Sequence, residues 1–257
     1  MSPPRSARVR RSQLAESASP RAPARVDRVA AIDAIRGFAL GLMFVYHFAF
    51  DLRLYGVIAA DFENDRFWLG FRALIVSIFM VLVGVSLVLA DRAGAPPAHF
   101  WRRVAVIGAC ALAVSAASWI SFPGTFIYFG ILHCIAVASI LAWPFARRPA
   151  AAFVIGCVVI VAGLALSHPV FDARPLSILG FVAHKPITGD YVPLAPWAGV
   201  ALVGMALGNA LADRSFAPLR PLVSTPGWLR WLGRHSLAVY MIHQPLLLGL
   251  MWLAVGH

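Results

Sequence analysis

The chain has 257 residues, of which 60% are hydrophobic and 13% are charged, and its formal net charge is +11. Soluble domains carry about 25% charged residues, so this composition excludes an ordinary soluble domain. The sequence shows long apolar runs rather than the alternating polarity of barrel strands, and it therefore predicts an all-α, polytopic transmembrane helical bundle.

The positive charge lies where membrane proteins carry it. Seven arginines precede the first apolar run, and most of the others lie in short loops. This pattern favours cytoplasmic retention and attraction to anionic lipid over nucleic-acid binding, so we expect membrane lipid and no nucleic acid among the partners. Residues 1–28 are rich in Arg, Ser, Pro and Ala and are predicted to form a disordered, basic cytoplasmic tail. Residues 29–257 are then the transmembrane domain.

Apolar runs of roughly 18 or more residues predict membrane-spanning helices, because about 20 residues at 1.5 Å rise cross the hydrocarbon core. About seven spans are predicted, and they cover residues 29–50, 67–90, 104–122, 125–145, 150–167, 191–212 and 236–255. Residues 175–183 are too short to cross and are expected at the interface. Three glycines in the sixth span are expected to let neighbouring helices approach closely: Gly199, Gly204 and Gly208.

Loop charges orient the predicted bundle. Alternate loops are rich in arginine, whereas the loop after the first span is acidic and contains Asp51, Asp61, Glu63 and Asp65. By the positive-inside rule the N-terminus is cytoplasmic and the C-terminus is outside. We therefore expect a multi-pass protein of the inner cell membrane.

The first span contains three polar side chains that are costly in lipid: Asp33, Arg36 and His47. Eleven residues separate Arg36 from His47, which returns the helix to within roughly 20° of the same face about 16 Å further along. Asp33 precedes Arg36 by three residues, within ion-pair reach. The three side chains are thus predicted to share one stripe facing a common conduit, because charges inside a span mark functional sites by default. The alternative is that Asp33 and Arg36 neutralise each other and hold the helix to its neighbours.

Further polar and aromatic residues lie in the fourth, sixth and seventh spans. With His47, the histidines His133 and His243 fall in the outer half or centre of the predicted bundle, so a shared cavity is predicted. Taken alone, each of these histidines is better explained by a hydrogen bond across the helices. No metal is expected, because no acidic partner or i,i+4 pairing accompanies them. Asp190 and Trp197 are expected either to contact a sugar or to anchor the sixth span at the interface.

The stretch "DAIRGFALGLMFVYH" resembles the start of the transmembrane acyltransferase superfamily, in which an arginine, ten residues and a histidine mark the first span. A closer resemblance is to the heparan-alpha-glucosaminide N-acetyltransferase catalytic-domain family in its bacterial form. Five stretches carry it in order: "IDAIRGFAL", "FMVLVGVSL", "FIYFGILHCIAVAS", "DYVPLAPWAGVALVGMALG" and "LGRHSLAVYMIHQPLLL".

This resemblance implies that residues 29–257 transfer an acetyl or other acyl group from cytoplasmic acyl-CoA to a sugar or glycan outside. His47 would act as base or nucleophile, roles that suit imidazole near neutral pH. Arg36 would steer the thioester or its phosphates, with Asp33 fixing its rotamer. Arg102 and Arg103 would bind the nucleotide phosphates, or they only set the topology. In the animal lysosomal members the active histidine lies in the loop after the first span, so His47 is assigned from the superfamily spacing.

Two other classes of protein stay open from the sequence. A transporter or flippase would use Asp33, Arg36 and the histidines as a relay, although the sequence shows no internal repeat and seven is an odd number for a duplicated transporter. A non-catalytic membrane subunit is the third class. The acceptor's identity and homo-oligomerisation are also left open.

Overall fold

A computed structural model of the chain describes residues 23–255, with side chains from residue 30 onward. Within these residues we label eight helices: α1 (Pro23–Leu54), α2 (Arg66–Arg92), α3 (Pro97–Ser121), α4 (Ile131–Ala142), α5 (Pro149–Ala165), α6 (Leu194–Asp213), α7 (Gly227–Arg234) and α8 (Ser236–Val255). The described residues contain no β-strand, only one isolated bridge between Phe129 and Tyr191. The predicted all-α class is confirmed.

Among the described residues, five helices are long and apolar enough to cross a membrane: α1 from Ala30 onward, α2, α3, α6 and α8. Two shorter apolar helices accompany them, α4 with 12 residues and α5 with 17. These helices confirm a polytopic membrane bundle. The count of seven spans and the cytoplasmic N-terminus stay predictions.

The structure moves several predicted boundaries. Helix α4 begins at Ile131 rather than at residue 125, because the chain first makes a turn at Pro123–Thr125 and then runs extended to Gly130. In this extended part Phe129 accepts a hydrogen bond from the N–H of Val192, at 3.2 Å. An apolar run in extended conformation looks like a helix by hydropathy alone, so the sequence could not separate the two.

The two ends of the predicted first span also differ. Helix α1 begins at Pro23, inside the segment predicted as a disordered tail, whose residues 1–22 lie outside the described part of the chain. At its other end α1 continues to Leu54, so Asp51 belongs to the helix and not to the following loop. The helix is therefore longer than its purely apolar stretch at both ends.

Glycines set the distances between the central helices. A Cβ added at Gly204 of α6 would lie 2.5 Å from the carbonyl oxygen of Val81 in α2, and one added at Gly199 would lie 2.6 Å from that of Gly156 in α5. At Gly208 the Cβ would lie 2.9 Å from Val85. The predicted close approach along α6 is thus confirmed, and it gives the van der Waals contact that holds helices together in lipid.

The short helix α7 packs against α1 at the end of the bundle where α1 begins. Gly37 of α1 lies against the backbone of Leu229, and a Cβ at Gly233 would overlap the carbonyl of Asp33. This contact brings Arg234 to 3.9 Å from the Asp33 carboxylate. Helix α7 therefore covers the predicted Asp33–Arg36 pair.

The N-terminus of α4 is held by two side chains. Asp190 accepts a hydrogen bond from the N–H of Ile131 at 2.9 Å, and Nδ1 of His133 accepts one from the N–H of Gly130 at 3.2 Å. Both N–H groups belong to the set that a helix start leaves without an internal partner. The two contacts fix where α4 begins.

We expect Gly204→Leu to destabilise the bundle, because the new side chain would overlap the backbone of α2. Overpacking of this kind costs about 1–3 kcal/mol or more, measured as a lower unfolding midpoint of the detergent-solubilised protein. Gly249→Leu on α8 is the control, since a Cβ there meets no atom within 4 Å. An equal decrease of the unfolding midpoint in the two variants would contradict this packing.

Asp190 predicts a pH dependence of stability. Burial raises the pKa of Asp190 above its ordinary value of 3.8, and the Ile131 N–H, Arg72 and Lys185 only partly offset this. The folded state then binds this proton more tightly than the unfolded state, so the contribution of Asp190 to stability falls as pH rises from about 4 through the folded-state pKa.

Asp190→Asn cannot ionise and keeps an oxygen that can accept the Ile131 N–H. We therefore expect the variant to gain stability relative to the wild type as pH rises through this window, measured as the difference between the two unfolding midpoints. A difference that is constant with pH would contradict the raised pKa.

Candidate active site

A cavity of about 490 Å³ lies between α1, α2, α3, α4 and α8. Among the described residues, four basic side chains line it, namely Arg36, His99, Arg102 and Arg103, and no carboxylate does. Apolar residues such as Leu40 form much of the remaining wall. Its size is that of a small-molecule site, and its charge suits an anionic ligand.

The Arg36 guanidinium is held on two sides. It donates to Asp33 Oδ1 at 3.1 Å, which is the ion pair predicted from the i,i+3 spacing, and to the hydroxyl of Ser86 on α2 at 3.2 Å. Asp33 is buried, and Arg234 is its second cationic neighbour. Asp33 therefore fixes the guanidinium in the cavity wall, and the hydrogen bond to Ser86 ties α1 to α2.

Arg102 and Arg103 come from the first turns of α3 and line the same cavity as Arg36. Two other arginines at this end of the bundle have carboxylate partners, as Arg36 does: Arg92 pairs with Asp213 at 2.8 Å, and Arg147 pairs with Asp91 at 3.0 Å. Arg102 and Arg103 have no ion-pair partner among the described residues, so together with Arg36 they give the cavity a positive charge that attracts an anion. The structure thus brings together the three arginines that were predicted to bind acyl-CoA.

His47 is not among the residues that line this cavity. Its ring contacts His243 of α8, with ring centres 4.9 Å apart. The ring of His243 in turn contacts Tyr240, with centres 5.2 Å apart, and Tyr240 lines the cavity. Tyr240 and His243 therefore stand between the cavity and His47.

The predicted common conduit for Arg36 and His47 thus becomes two adjoining sites in the structure. Residues on one stripe point in the same direction from the helix axis but can lie at different positions along it. Arg36 and His47 are about 16 Å apart along α1. They consequently meet different parts of the neighbouring helices. Arg36 contacts Ser86 of α2, and His47 contacts His243 of α8.

Asp51 and Gln244 are polar residues of the site that the sequence analysis did not assign to it. Asp51 is fully buried, and its Oδ1 accepts a hydrogen bond from Nε2 of Gln244 at 2.8 Å. The signal was present in the sequence, since Asp51 follows His47 by four residues and Gln244 follows His243 directly. Because Asp51 was predicted to lie in the acidic loop, its place on the same helix as His47 was not recognised.

His133 lies apart from the other two histidines. Its Nδ1 accepts the Gly130 N–H, and its Nε2 lies 3.2 Å from the hydroxyl of Ser115, which itself donates to the Ile127 carbonyl at 2.6 Å. Nε2 is therefore the donor, and both ring nitrogens are occupied. The predicted shared cavity brings His47 and His243 together but not His133.

The other predicted substrate residues, Asp190 and Trp197, also lie outside the lining of the basic cavity. Asp190 caps α4, and Trp197 packs against the apolar core formed by α2, α4 and α6. Among the described residues, no group of three or more His, Cys, Asp or Glu side chains is arranged to hold a metal ion.

Comparison with known protein families matches residues 28–245 to the family described as "Heparan-alpha-glucosaminide N-acetyltransferase, catalytic". No curated protein and no solved structure matches the chain. The matched range contains the basic cavity and the contacts between α1 and α8, and it is well over half of the chain. The chain is therefore a member of the heparan-alpha-glucosaminide N-acetyltransferase catalytic-domain family, and it is assigned as a membrane acetyltransferase on that basis.

Proposed function

We propose that the protein transfers an acetyl or other acyl group from cytoplasmic acyl-CoA to a sugar or glycan acceptor on the outer side of the inner cell membrane. The observation that carries this proposal is the cavity lined by Arg36, Arg102 and Arg103 without a carboxylate. Membership of an acetyltransferase family favours this function over a transporter or a non-catalytic subunit.

The donor side of the proposed reaction lies in the basic cavity. Coenzyme A carries phosphates, and guanidinium groups bind phosphate oxygens through paired, charge-assisted hydrogen bonds. Arg102 and Arg103 lie at the arginine-rich end of the bundle, which the positive-inside rule assigns to the cytoplasm. Apolar lining residues such as Val106 and Ile107 suit the uncharged arm that carries the thioester.

The chemical step is proposed where the cavity approaches His47, with the thioester against Tyr240. The acceptor's nitrogen or oxygen attacks the thioester carbonyl carbon, and the sulfur leaves as a thiolate. His47 takes the acceptor's proton, or it carries the acyl group as a nucleophile. Arg36 orients the donor, and Asp33 fixes the rotamer of Arg36.

The acceptor side of the proposed site is the end of the bundle at which α1 ends and α4 and α6 begin. His243 is a buried neighbour of His47 there. His133 and Asp190 hold the start of α4 at this end, because each accepts a hydrogen bond from a backbone N–H there. Trp197 offers an aromatic surface of the kind that stacks on sugar rings.

We expect Arg103→Gln to raise the KM for acyl-CoA, because a charged partner of the phosphates is lost. Hydrogen bonds to charged groups are worth about 1.5–3 kcal/mol, or roughly tenfold to a hundredfold in binding. The measurement is thiol release from acyl-CoA in inverted membrane vesicles. The control is Arg148→Gln, an exposed arginine at the same end of the bundle. If the two variants raised the KM equally, the cavity would not be the donor site.

His47→Ala is expected to reduce acyl transfer by about 10²–10⁴-fold, the usual contribution of an acid–base residue, while acyl-CoA still binds. Transfer is followed by thiol release and acyl-CoA binding by calorimetry. The exposed loop residue His168 supplies the matched control, His168→Ala. Full transfer by His47→Ala would remove His47 from the mechanism without changing the class of enzyme.

A further inference from the structure

Four polar side chains form one cluster between α1 and α8, two of them buried and two partly exposed: His47, Asp51, His243 and Gln244. Two contacts across the helices define it, the hydrogen bond from Gln244 to Asp51 and the ring contact between His47 and His243. Asp51 is 0% exposed and His243 is 4% exposed. We call this group the acceptor cluster, because three of its atoms are hydrogen-bond acceptors without a partner in the described residues.

The hydrogen-bond geometry fixes the tautomer of His243. Its Nδ1 lies within hydrogen-bond distance of the backbone carbonyl of Tyr240, and a carbonyl oxygen only accepts. Nδ1 therefore carries the hydrogen, and in the neutral ring Nε2 carries a lone pair. Nε2 is buried and has no hydrogen-bond partner among the described residues.

Two further atoms of the cluster are buried acceptors without a partner in the described part of the protein, Asp51 Oδ2 and Gln244 Oε1. The amide nitrogen of Gln244 is directed to Asp51, so its oxygen is the group left over. A purely structural polar cluster in an apolar bundle would match each acceptor with a donor, because unpaired polar groups are costly there. This cluster therefore holds three acceptors that no described donor reaches.

His47 is the member that can supply the missing donor. A neutral imidazole has one N–H, and a protonated imidazole has two. The ring of His47 lies against His243 and one helical turn from Asp51. Adding one proton to His47 therefore adds a second N–H beside acceptors that have no partner among the described residues.

We propose that the acceptor cluster stores the proton released during acyl transfer, with His47 as the group that takes it. His243 and Asp51 are positioning residues that hold the protonated His47. This inference rests on the proposed function and assigns two further residues to it.

The proposed step balances without another reactant. The acceptor's nitrogen or oxygen forms a bond to the thioester carbonyl carbon, the carbon–sulfur bond breaks, and the acceptor's proton moves to His47. The sulfur leaves as a thiolate and then takes that proton from His47 to become the free thiol. The cluster then returns to its starting state before the next sugar or glycan molecule binds.

The first test compares two substitutions of His243. His243→Gln places an amide oxygen where it can replace the lone pair of Nε2, whereas His243→Phe removes the acceptor and keeps a ring. We expect His243→Phe to lower kcat for thiol release by about tenfold or more, with the KM for acyl-CoA unchanged, and His243→Gln to recover most of the loss. Phe44→Leu is the packing control, because the Phe44 ring also contacts His243. Equal kcat values for the Phe and Gln variants would overturn the proposal.

The second test does not depend on turnover. Asp51→Asn removes the charge but keeps an oxygen for Gln244, and ¹⁵N NMR of labelled histidine reports the protonation of His47. We expect a smaller protonated fraction of His47 in Asp51→Asn than in the wild type at the same pH. An unchanged fraction would overturn the role of Asp51. If the wild type released no thiol from acyl-CoA, the proposed function would fail, and the NMR comparison alone would decide whether the cluster holds a proton.

Discussion

The ion pair between Asp33 and Arg36 is the interaction on which the arrangement of this bundle depends. A charge inside an apolar helix is stable only when another polar group meets it. Here Asp33 neutralises Arg36, and Ser86 of α2 takes a second N–H of its guanidinium. Helix α7 closes over the pair through Gly233. One pair thus ties three helices together and directs a guanidinium into the basic cavity.

Two polar sites of different character lie along α1. The cavity at Arg36 is basic and about 490 Å³ in volume. The cluster at His47 contains the buried residues Asp51 and His243 and is rich in hydrogen-bond acceptors. Tyr240 contributes to both, as a side chain in the cavity wall and through the carbonyl that fixes His243. In the proposed reaction, the donor uses the first environment and the released proton uses the second.

The sequence predicted the features that follow from composition and from short helical spacings. Long apolar runs indicated the bundle, the i,i+3 spacing indicated the Asp33–Arg36 pair, and the glycines of α6 indicated close packing. The depth at which each residue lies in the bundle was harder to predict, because hydropathy cannot tell the extended residues before Ile131 from a helix. Hydropathy also placed Asp51 in a loop, because the helix that contains it continues beyond its apolar stretch. The contact between His47 and His243 depends on how α1 and α8 pack, which no local pattern encodes.

The length of α4 has a consequence for how the chain fills the thickness of a membrane. Twelve helical residues rise about 18 Å, whereas the hydrocarbon core of a bilayer is about 30 Å thick. The preceding residues run extended, and their polar backbone is tolerated because it lies inside protein and pairs there, as Phe129 does with Val192. Beside α4 the protein therefore fills part of this thickness with extended chain in place of helix. Lipid against that stretch would leave its peptide groups unpaired, so the stretch has to stay enclosed by the neighbouring helices.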